Sequence, residues 1–530
     1  MVADELKKYI TDSLASGNTL NSIERNLIEV GWSKTSIAEA FQDLGASNTT
    51  RPDSLANGKS RTSTFRHLFV VANVVIIAIL LGSTLYLWQD RLDLRDTNAL
   101  ETREFYTRIA ESQIAFTDAG RMVFPDEQKL QTEKSKYLES KTSFIEVNLK
   151  TMTLSLFENG TFKKDFPVVS KGKEKSWWET PTGNYSVLGK SINGYSSIGQ
   201  VWMPYSIQFY GNYLIHGWPH YDDGTPVPAG YSGGCIRLTN EHAKEVFIFA
   251  KPGMPVLVLE DYSGREFGTL TVNARKASLP EVSAQSFLVY DISTGETLLE
   301  KNADEKRAIA SLTKLMTAVV AHEVIYLGRS VKTTPPLLAG GLLFSPVVGE
   351  RYIGLDLLYP LLMQSSNASA KILASFVGEE VFIRNMNAKA SSLEMFDTSF
   401  SDASGISAGN ISTTRDIALL LRYIYYKRPF LFEISRGVIF ENIGLLRIGN
   451  TIPIKDLRNV NEFIDRPDLI GVKNGKTTAA GETMTTVWNV PSPQGSVPVA
   501  IIVLGSTDRG KDTLLLHTWL TDNFSYDEKS

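Results

Sequence analysis

Twenty-one consecutive residues without a charge, Leu68 to Trp88, divide this chain before any folded core is considered. At 1.5 Å per residue such a run, as a helix, is long enough to cross about 30 Å of hydrocarbon. Its flanks set a direction. Arg51, Lys59, Arg61 and Arg66 against Asp53 precede it, whereas Asp90, Asp93, Asp96, Glu101 and Glu104 against three arginines follow it. An excess of basic residues marks the cytoplasmic side of a spanning helix. The sequence therefore predicts a single pass of the cytoplasmic membrane through residues 67–88, with Tyr86 and Trp88 as interfacial anchors. Residues 1–66 are expected inside and everything after Trp88 outside the cytoplasm.

On the inner side, Leu6, Tyr9, Ile10 and Leu14 recur at helical spacing, Gly17-Asn18 interrupts them, and Leu20, Ile23, Leu27 and Ile28 resume it. Ser33 stands as an N-cap before Ile37, Ala38, Ala40 and Phe41. Residues 1–46 are read as a small helical bundle around Trp32, similar to a ubiquitin-associated-type module. It serves either a cytoplasmic protein partner or as a folded cap on the membrane segment. The Ser/Thr/Asn/Pro/Gly-rich residues 47–66 are a flexible linker. On the outer side, the polar residues 89–142 read as a stalk broken at Pro125. What remains, in a chain of 530 residues, is too long for one core. A hydrophobic content of 43% with 21% charge is globular, and a net charge of −4 argues against a nucleic-acid partner.

Cys235 is the chain's one cysteine, so no intramolecular disulfide forms. A lone cysteine is usually a small buried hydrophobe. This one follows Ser232-Gly233-Gly234, a run flexible enough for backbone N–H groups to converge on a reacting carbonyl, and Arg237 lies two residues on. His216 closes the apolar, strand-like Tyr213-Leu214-Ile215. A thiol of pKa about 8.5 is mostly protonated at neutral pH, and a nearby imidazole can take its proton. The pattern is that of a Cys–His acyl-transfer site. His216 and His220 are four apart, yet Gly217-Trp218-Pro219 between them is not helical sequence, so neither a metal nor another cofactor is expected.

The surrounding blocks extend the pattern. Phe144 to Leu149 followed by Leu154 to Gly160 forms an opening hairpin with an Asn-Gly turn, and Thr180-Pro181-Thr182-Gly183-Asn184-Tyr185 and Met203-Pro204-Tyr205 come later. Residues 143–261 thereby resemble the L,D-transpeptidase family of peptidoglycan cross-linking enzymes. The resemblance implies a mainly-β domain, with Cys235 as nucleophile, His216 as its base, and Ser232, Gly234 and Arg237 binding substrate. Gly233 stands where many members have histidine. In the family, that residue orients the catalytic histidine through its backbone carbonyl.

A linker at 262–282 leads to a second set of motifs. If flexible, its roughly twenty residues span about 25 Å, at 5–6 Å times the square root of length. Ser311-Leu312-Thr313-Lys314 places a serine and a lysine on one helix face, at a helix start whose dipole favours negative charge. Ser365-Ser366-Asn367 and Lys473-Asn474-Gly475 follow, with Met386 to Ala390 and Asp402 to Gly405 between them. In this order the blocks resemble the penicillin-binding serine D-alanyl-D-alanine carboxypeptidases over about 284–520. The resemblance implies an α/β domain, here residues 283–525, with Ser311 as nucleophile and Lys314 as base. It implies that Ser365 relays protons and that Asn367, Lys473, Asn474, Gly475 and Lys476 bind substrate, the N–H groups of Ser311 and Lys476 forming the oxyanion hole. Asn474 replaces the family's threonine, whose hydroxyl helps hold the terminal carboxylate.

Together these readings predict a multidomain, membrane-anchored, bifunctional enzyme acting on peptidoglycan stem peptides, with β-lactams as inhibitors. The serine site trims pentapeptide stems to tetrapeptides and the cysteine site joins tetrapeptides by 3→3 cross-links. The alternative, resting on Gly233 and Asn474, is a peptidoglycan-binding or β-lactam-sensing scaffold with one or both sites inactive.

Overall fold

The computed structural model describes residues 19–29 and 34–44, with Lys7, Ile10, Thr11, Ser13 and Leu14 before them. It then describes 126–526, apart from 175, 231, 261–269, 273–279, 335–343, 441–446, 449–451, 454–455 and 493–494. Residues 1–89 and 90–530 are two separate units. The expected membrane segment, 67–88, lies outside the described residues. Among those described, no helix is long and apolar enough to cross a membrane.

In the first unit, helices α1 (Leu20–Glu29) and α2 (Lys34–Asp43) are amphipathic. Ile23 and Leu27 of α1 bury themselves with Ile37 and Ala40 of α2 and with Ile10. Trp32 lies outside the described residues.

The second unit contains both motif-bearing regions. The first is mainly β. Strands β1 (Phe144–Asn148), β2 (Thr153–Glu158), β3 (Thr161–Pro167), β4 (Gly183–Ser186), β5 (Gly189–Ser196), β6 (Val201–Tyr210), β7 (Tyr213–His216), β8 (Ile236–Arg237) and β9 (Pro255–Leu259) make two sheets, with helix α4 (Asn240–Phe249) preceding β9. Their orders are β3-β2-β1-β9-β4 and β5-β6-β7-β8. The Asn159-Gly160 turn joins β2 to β3, both residues at positive φ (52° and 72°), as a two-residue hairpin of right-handed twist demands. Ile145, Leu154 and Val256 from one sheet and Ile207, Ile215 and Ile236 from the other share a core. Helix α3 (Asp126–Glu139), within the segment read as a stalk, packs Leu130, Tyr137 and Leu138 against Phe144, Phe157 and Leu259.

The second region is α/β. Strands β10 (Ser286–Asp291), β11 (Thr297–Lys301), β12 (Leu469–Thr477), β13 (Gly481–Ser492) and β14 (Gly495–Ser506) form an antiparallel sheet of order β11-β10-β14-β13-β12. Side chains alternate across a strand. Leu288, Tyr290, Ala500 and Ile502 accordingly join the large helical core. Phe287, Val289, Ile501 and Val503 face Leu516, Trp519 and Leu520 of the C-terminal helix Arg509–Asn523. Helix α5 (Thr313–Val324), buried over most of its length, is central to the larger core. Leu270–Val272, within the stretch read as a linker, pairs with Phe524–Tyr526.

The two regions are docked through a buried, charged face. Lys427 pairs with Glu179 and, at 2.5 Å, with Glu260. Arg428 reaches Glu323 at 2.9 Å and the Tyr213 hydroxyl at 3.2 Å. Lys389 sits 3.0 Å from Glu323 and 3.3 Å from the Tyr185 hydroxyl. Trp177, from the β domain, lies inside the core of the α/β domain with its ring stacked on Phe430 at 4.0 Å. Docking, rather than a free tether of about 25 Å, sets the separation of the two sites.

Candidate active sites

His216 ends β7, and the parallel pairing of β7 with β8 sets Ile215 opposite Ile236 and His216 opposite Arg237. Cys235, immediately before β8, is thereby carried to the same sheet end. The imidazole is 2% exposed. Its Nδ1 donates to the Gly217 carbonyl at 2.6 Å, which leaves Nε2 as the free base. The carbonyl that orients the ring is thus Gly217's, not Gly233's. A Cβ on Gly217 would lie 2.4 Å from Asn240 Oδ1, so a larger residue there would have to displace that side chain.

The loop before Cys235 braces itself. Ser232 Oγ donates to the Cys235 carbonyl at 2.5 Å and accepts from the Gly234 N–H at 3.1 Å. Ser232, expected to bind substrate, therefore uses its hydroxyl on the loop. Gly234, at φ +99°, passes so close to Tyr213 that a Cβ would sit 2.4 Å from its ring. Thr180, from the Thr-Pro-Thr-Gly block, donates to the Gly234 carbonyl at 2.9 Å. Around Gly233 there is open space.

Burial pushes the Cys235 thiol up, with Arg237 pulling the other way. Burial pushes His216 down to about 4. Both shifts favour a neutral thiol and a neutral imidazole in one cavity over a preformed ion pair. The thiol donates to the Asn212 carbonyl at 3.7 Å. A cavity of about 140 Å³ opens over the pair, lined by Cys235, His216, Arg237, Trp178 and Met203, and also by His322, Glu323, Ile325 and Leu327 of the α/β domain. Arg237 is half-buried, and its Nε is buried without a hydrogen-bond partner. His220 lies in a β-bridge to Trp202, so it and His216 do not share a helix face.

At the second site Ser311 occupies a short 3₁₀ turn, Ala310–Leu312, that feeds directly into α5. Lys314 is completely buried. Its Nζ donates to Ser311 Oγ at 2.9 Å, Asn367 Oδ1 at 2.8 Å and the Ser404 carbonyl at 2.5 Å. Burial lowers its pKa to about 7, Asp402 acting weakly in the other direction. Lys473, also fully buried, is pushed well below the ordinary lysine value by burial, then by Lys314 and Arg509. A neutral amine hydrogen-bonded to a serine hydroxyl can accept its proton.

Two glycines keep the ground around Ser311 clear. A Cβ on Gly475 would lie 2.7 Å from the Ser311 nitrogen, and one on Gly405 only 2.0 Å from the Ala310 carbonyl. Asp402 accepts from the N–H groups of Ser404, Gly405 and Ser407, each at 2.6 Å. That turn aims the Ser404 carbonyl at Lys314. Its residues were legible as a motif, but only the structure gives them this task. Ser365, at φ +54°, precedes the N-cap Ser366 and makes no hydrogen bond to Ser311 or Lys314. Asn474 Nδ2 donates to the Val460 carbonyl at 3.1 Å, so one of its two amide donors serves the scaffold. Lys476 continues β12, its Nζ on Glu482 at 2.8 Å. Arg509, which the sequence did not single out, donates to the Gly475 carbonyl at 3.1 Å.

One chain thus carries Cys235 and His216 on one cavity and Ser311 beside Lys314 on a second fold. Residues 142–258 match the model of the L,D-transpeptidase catalytic domain, and residues 273–507 that of D-alanyl-D-alanine carboxypeptidase. A D-alanyl-D-alanine endopeptidase of Escherichia coli is 32% identical over 265 residues, covering 47% of this chain and 81% of that protein. Its counterpart from Pseudomonas aeruginosa is 38% identical over 274 residues, covering 46% and 80%. A crystal structure of a D-alanyl-D-alanine carboxypeptidase from Mycobacterium tuberculosis aligns at 24% identity and a TM-score of 0.41, over 47% of this chain and 95% of that one. The chain belongs to the D-alanyl-D-alanine carboxypeptidase family and carries, ahead of that domain, an L,D-transpeptidase catalytic domain.

Proposed function

We propose that the chain is a membrane-anchored peptidoglycan enzyme whose two heads act in sequence on one stem peptide. The observation that carries the reading is the buried Lys314, within hydrogen-bond reach of Ser311 and held by Asn367 and Ser404. In the serine head, neutral Lys314 takes the Ser311 proton as Oγ attacks the carbonyl between the two terminal D-alanines. The N–H groups of Ser311 and Lys476 receive the oxyanion. The tetrahedral intermediate then expels D-alanine, and water releases the tetrapeptide from the serine ester. Both relatives described above are called endopeptidases, so a cross-linked dimer is a second substrate for the same chemistry.

In the cysteine head, His216 Nε2 takes the Cys235 proton as the sulfur attacks the L,D-bond carbonyl before the terminal D-alanine. His216 then protonates the leaving amine, and the amine of a second stem attacks the thioester to give a 3→3 cross-link. The tetrapeptide released by one head is the donor the other accepts. Neither scheme uses a cofactor. The uncharged run 68–88 and its flanking charges support an anchor with both heads outside the cytoplasm. The helical unit before it remains inside, either as a docking module for a protein partner or as a folded cap on the membrane segment. The scaffold alternative rests on Gly233 and Asn474 alone, whereas the catalytic reading is supported by Lys314 within hydrogen-bond reach of Ser311 and by Cys235 and His216 lining one cavity.

Mass spectrometry of the protein incubated with pentapeptide muropeptides tests the reading. Tetrapeptides should form first and 3→3 dimers later. Ser311→Ala should block dimers from pentapeptide but not from supplied tetrapeptide, while Cys235→Ala should stop at tetrapeptide and lose its carbapenem adduct. Dimer formation from pentapeptide at the wild-type rate in Ser311→Ala would separate the two heads.

A further inference from the structure

His322 belongs to the α/β domain, near the C-terminal end of α5, eight residues past Lys314. It does nothing for the serine site, yet its ring lines the cavity that contains Cys235 and His216. The ring is fixed on two sides, with Trp177 at 5.7 Å and Phe430 at 4.9 Å between ring centres. Its Nδ1 is buried and has no hydrogen-bond partner. Buried polar atoms are almost always paired, and an exception calls for an explanation such as a bound water or a functional partner. The end of α5 is itself clamped to the cysteine head. Asn212 Nδ2 donates to the Val324 carbonyl at 3.0 Å and the Asn212 N–H to the Glu323 carbonyl at 3.4 Å, while the Asn212 carbonyl accepts from Cys235 Sγ at 3.7 Å. One residue thus ties the nucleophile and the helix end that carries His322.

We propose that His322 is a substrate-binding residue of the cysteine site, contributed across the domain interface, and that it hydrogen-bonds a backbone amide group at the D-alanyl end of the donor stem peptide. The inference rests on the L,D-transpeptidase reading of that site. Burial, and then Arg428, push the imidazole down to about 3, so it is neutral and offers one donor and one acceptor, as a peptide group requires. Ile325 and Leu327, beside it in the wall, suit a small alkyl group such as the D-alanine methyl. Arg237 suits the terminal carboxylate. The cavity, at about 140 Å³, has room for the end of a peptide.

Steady-state kinetics on the full chain with a tetrapeptide donor test this. His322→Phe keeps the aromatic stack and removes the hydrogen bond, whereas His322→Gln keeps a donor and an acceptor. One hydrogen bond to a neutral partner corresponds to a change of up to about tenfold. The donor KM should therefore rise by about that factor in His322→Phe with kcat within about twofold, and stay within about threefold of wild type in His322→Gln. The rate at which iodoacetamide alkylates Cys235 should be the same in all three proteins. An unchanged KM in His322→Phe would overturn the proposal, and so would alkylation slowing in step with turnover, which would make His322 a packing residue. A wild-type protein that neither turns over tetrapeptide nor forms a Cys235 thioester would overturn the L,D-transpeptidase reading first, and the proposal with it.

Discussion

Glu323→Gln removes one charge from the best-buried cluster in the protein. Glu323, Lys389 and Arg428 are all fully buried, with the carboxylate 3.0 Å from Lys389 and 2.9 Å from Arg428, and the Tyr423 hydroxyl donates to it at 2.5 Å. Burial alone would push the carboxyl up, but Lys389 and Arg428 hold it below the usual carboxylate range. At an effective dielectric of 20, each contact is worth roughly 5 kcal/mol before desolvation is counted. Removing one member of a buried set costs about 3–5 kcal/mol, because the others stay buried without it. For a domain of this size that is a fall in melting temperature of roughly 6–20 °C, at about 2–4 °C per kcal/mol. The pH dependence has a definite sign. Burial depresses Lys389 to about 8 even with Glu323 present, and the amide variant depresses it further. A lysine with a lowered folded-state pKa destabilises the fold while protonated, and the penalty fades as pH rises toward its unfolded value. Calorimetry at pH 6 and pH 9 should therefore find the larger deficit at pH 6. Adding Lys389→Met should recover part of it, since an apolar replacement leaves no second charge to bury. A midpoint within about 1 °C of wild type at both pH values, or a deficit that grows with pH, would refute the reasoning.

Lys314 must be neutral to act as base, so kcat/KM for D-alanine release should climb through about pH 7 and level off above it; a flat profile from pH 6 to 8 would remove Lys314 from that role. Gly234→Ala should cut thioester formation more than tenfold, because its Cβ meets the Tyr213 ring at a φ of +99°. Gly233→Ala, with nothing within 4 Å of a built Cβ, should keep activity within about threefold and stabilise by about 0.4–1 kcal/mol, both read from adduct mass and thermal midpoint. Protease added to intact spheroplasts should remove both heads and spare residues 1–66, and full protection of the heads would reject the anchored topology.

The sequence carried the local chemistry well. Ser311 and Lys314 lie one helical turn apart, so their meeting follows from spacing, and the Cys235 and His216 blocks are distinctive enough to find each other on a known pattern. What it did not carry depends on contacts across long separations. Glu179 meets Lys427 across 248 residues, and no periodicity marks either as an interface residue. The Asp402 turn was legible as a family motif, but its aim at Lys314 is a tertiary fact. The protonation of the cysteine site was read incompletely too. Residue types alone favour proton transfer to the imidazole, whereas the burial of both groups leaves them neutral at rest.

Trp177 gives the architecture an unexpected dependence. It leaves the β domain and is 4% exposed within the core of the other. A gene cut at the linker would therefore not yield two exchangeable modules. The released cysteine head would present an indole and two acids, Glu179 and Glu260, to water, and the serine domain would be left with a hole beside Phe430. Recombination with a foreign carboxypeptidase would inherit the same mismatch. The pair is thus packed as one unit even though the sequence reads as two.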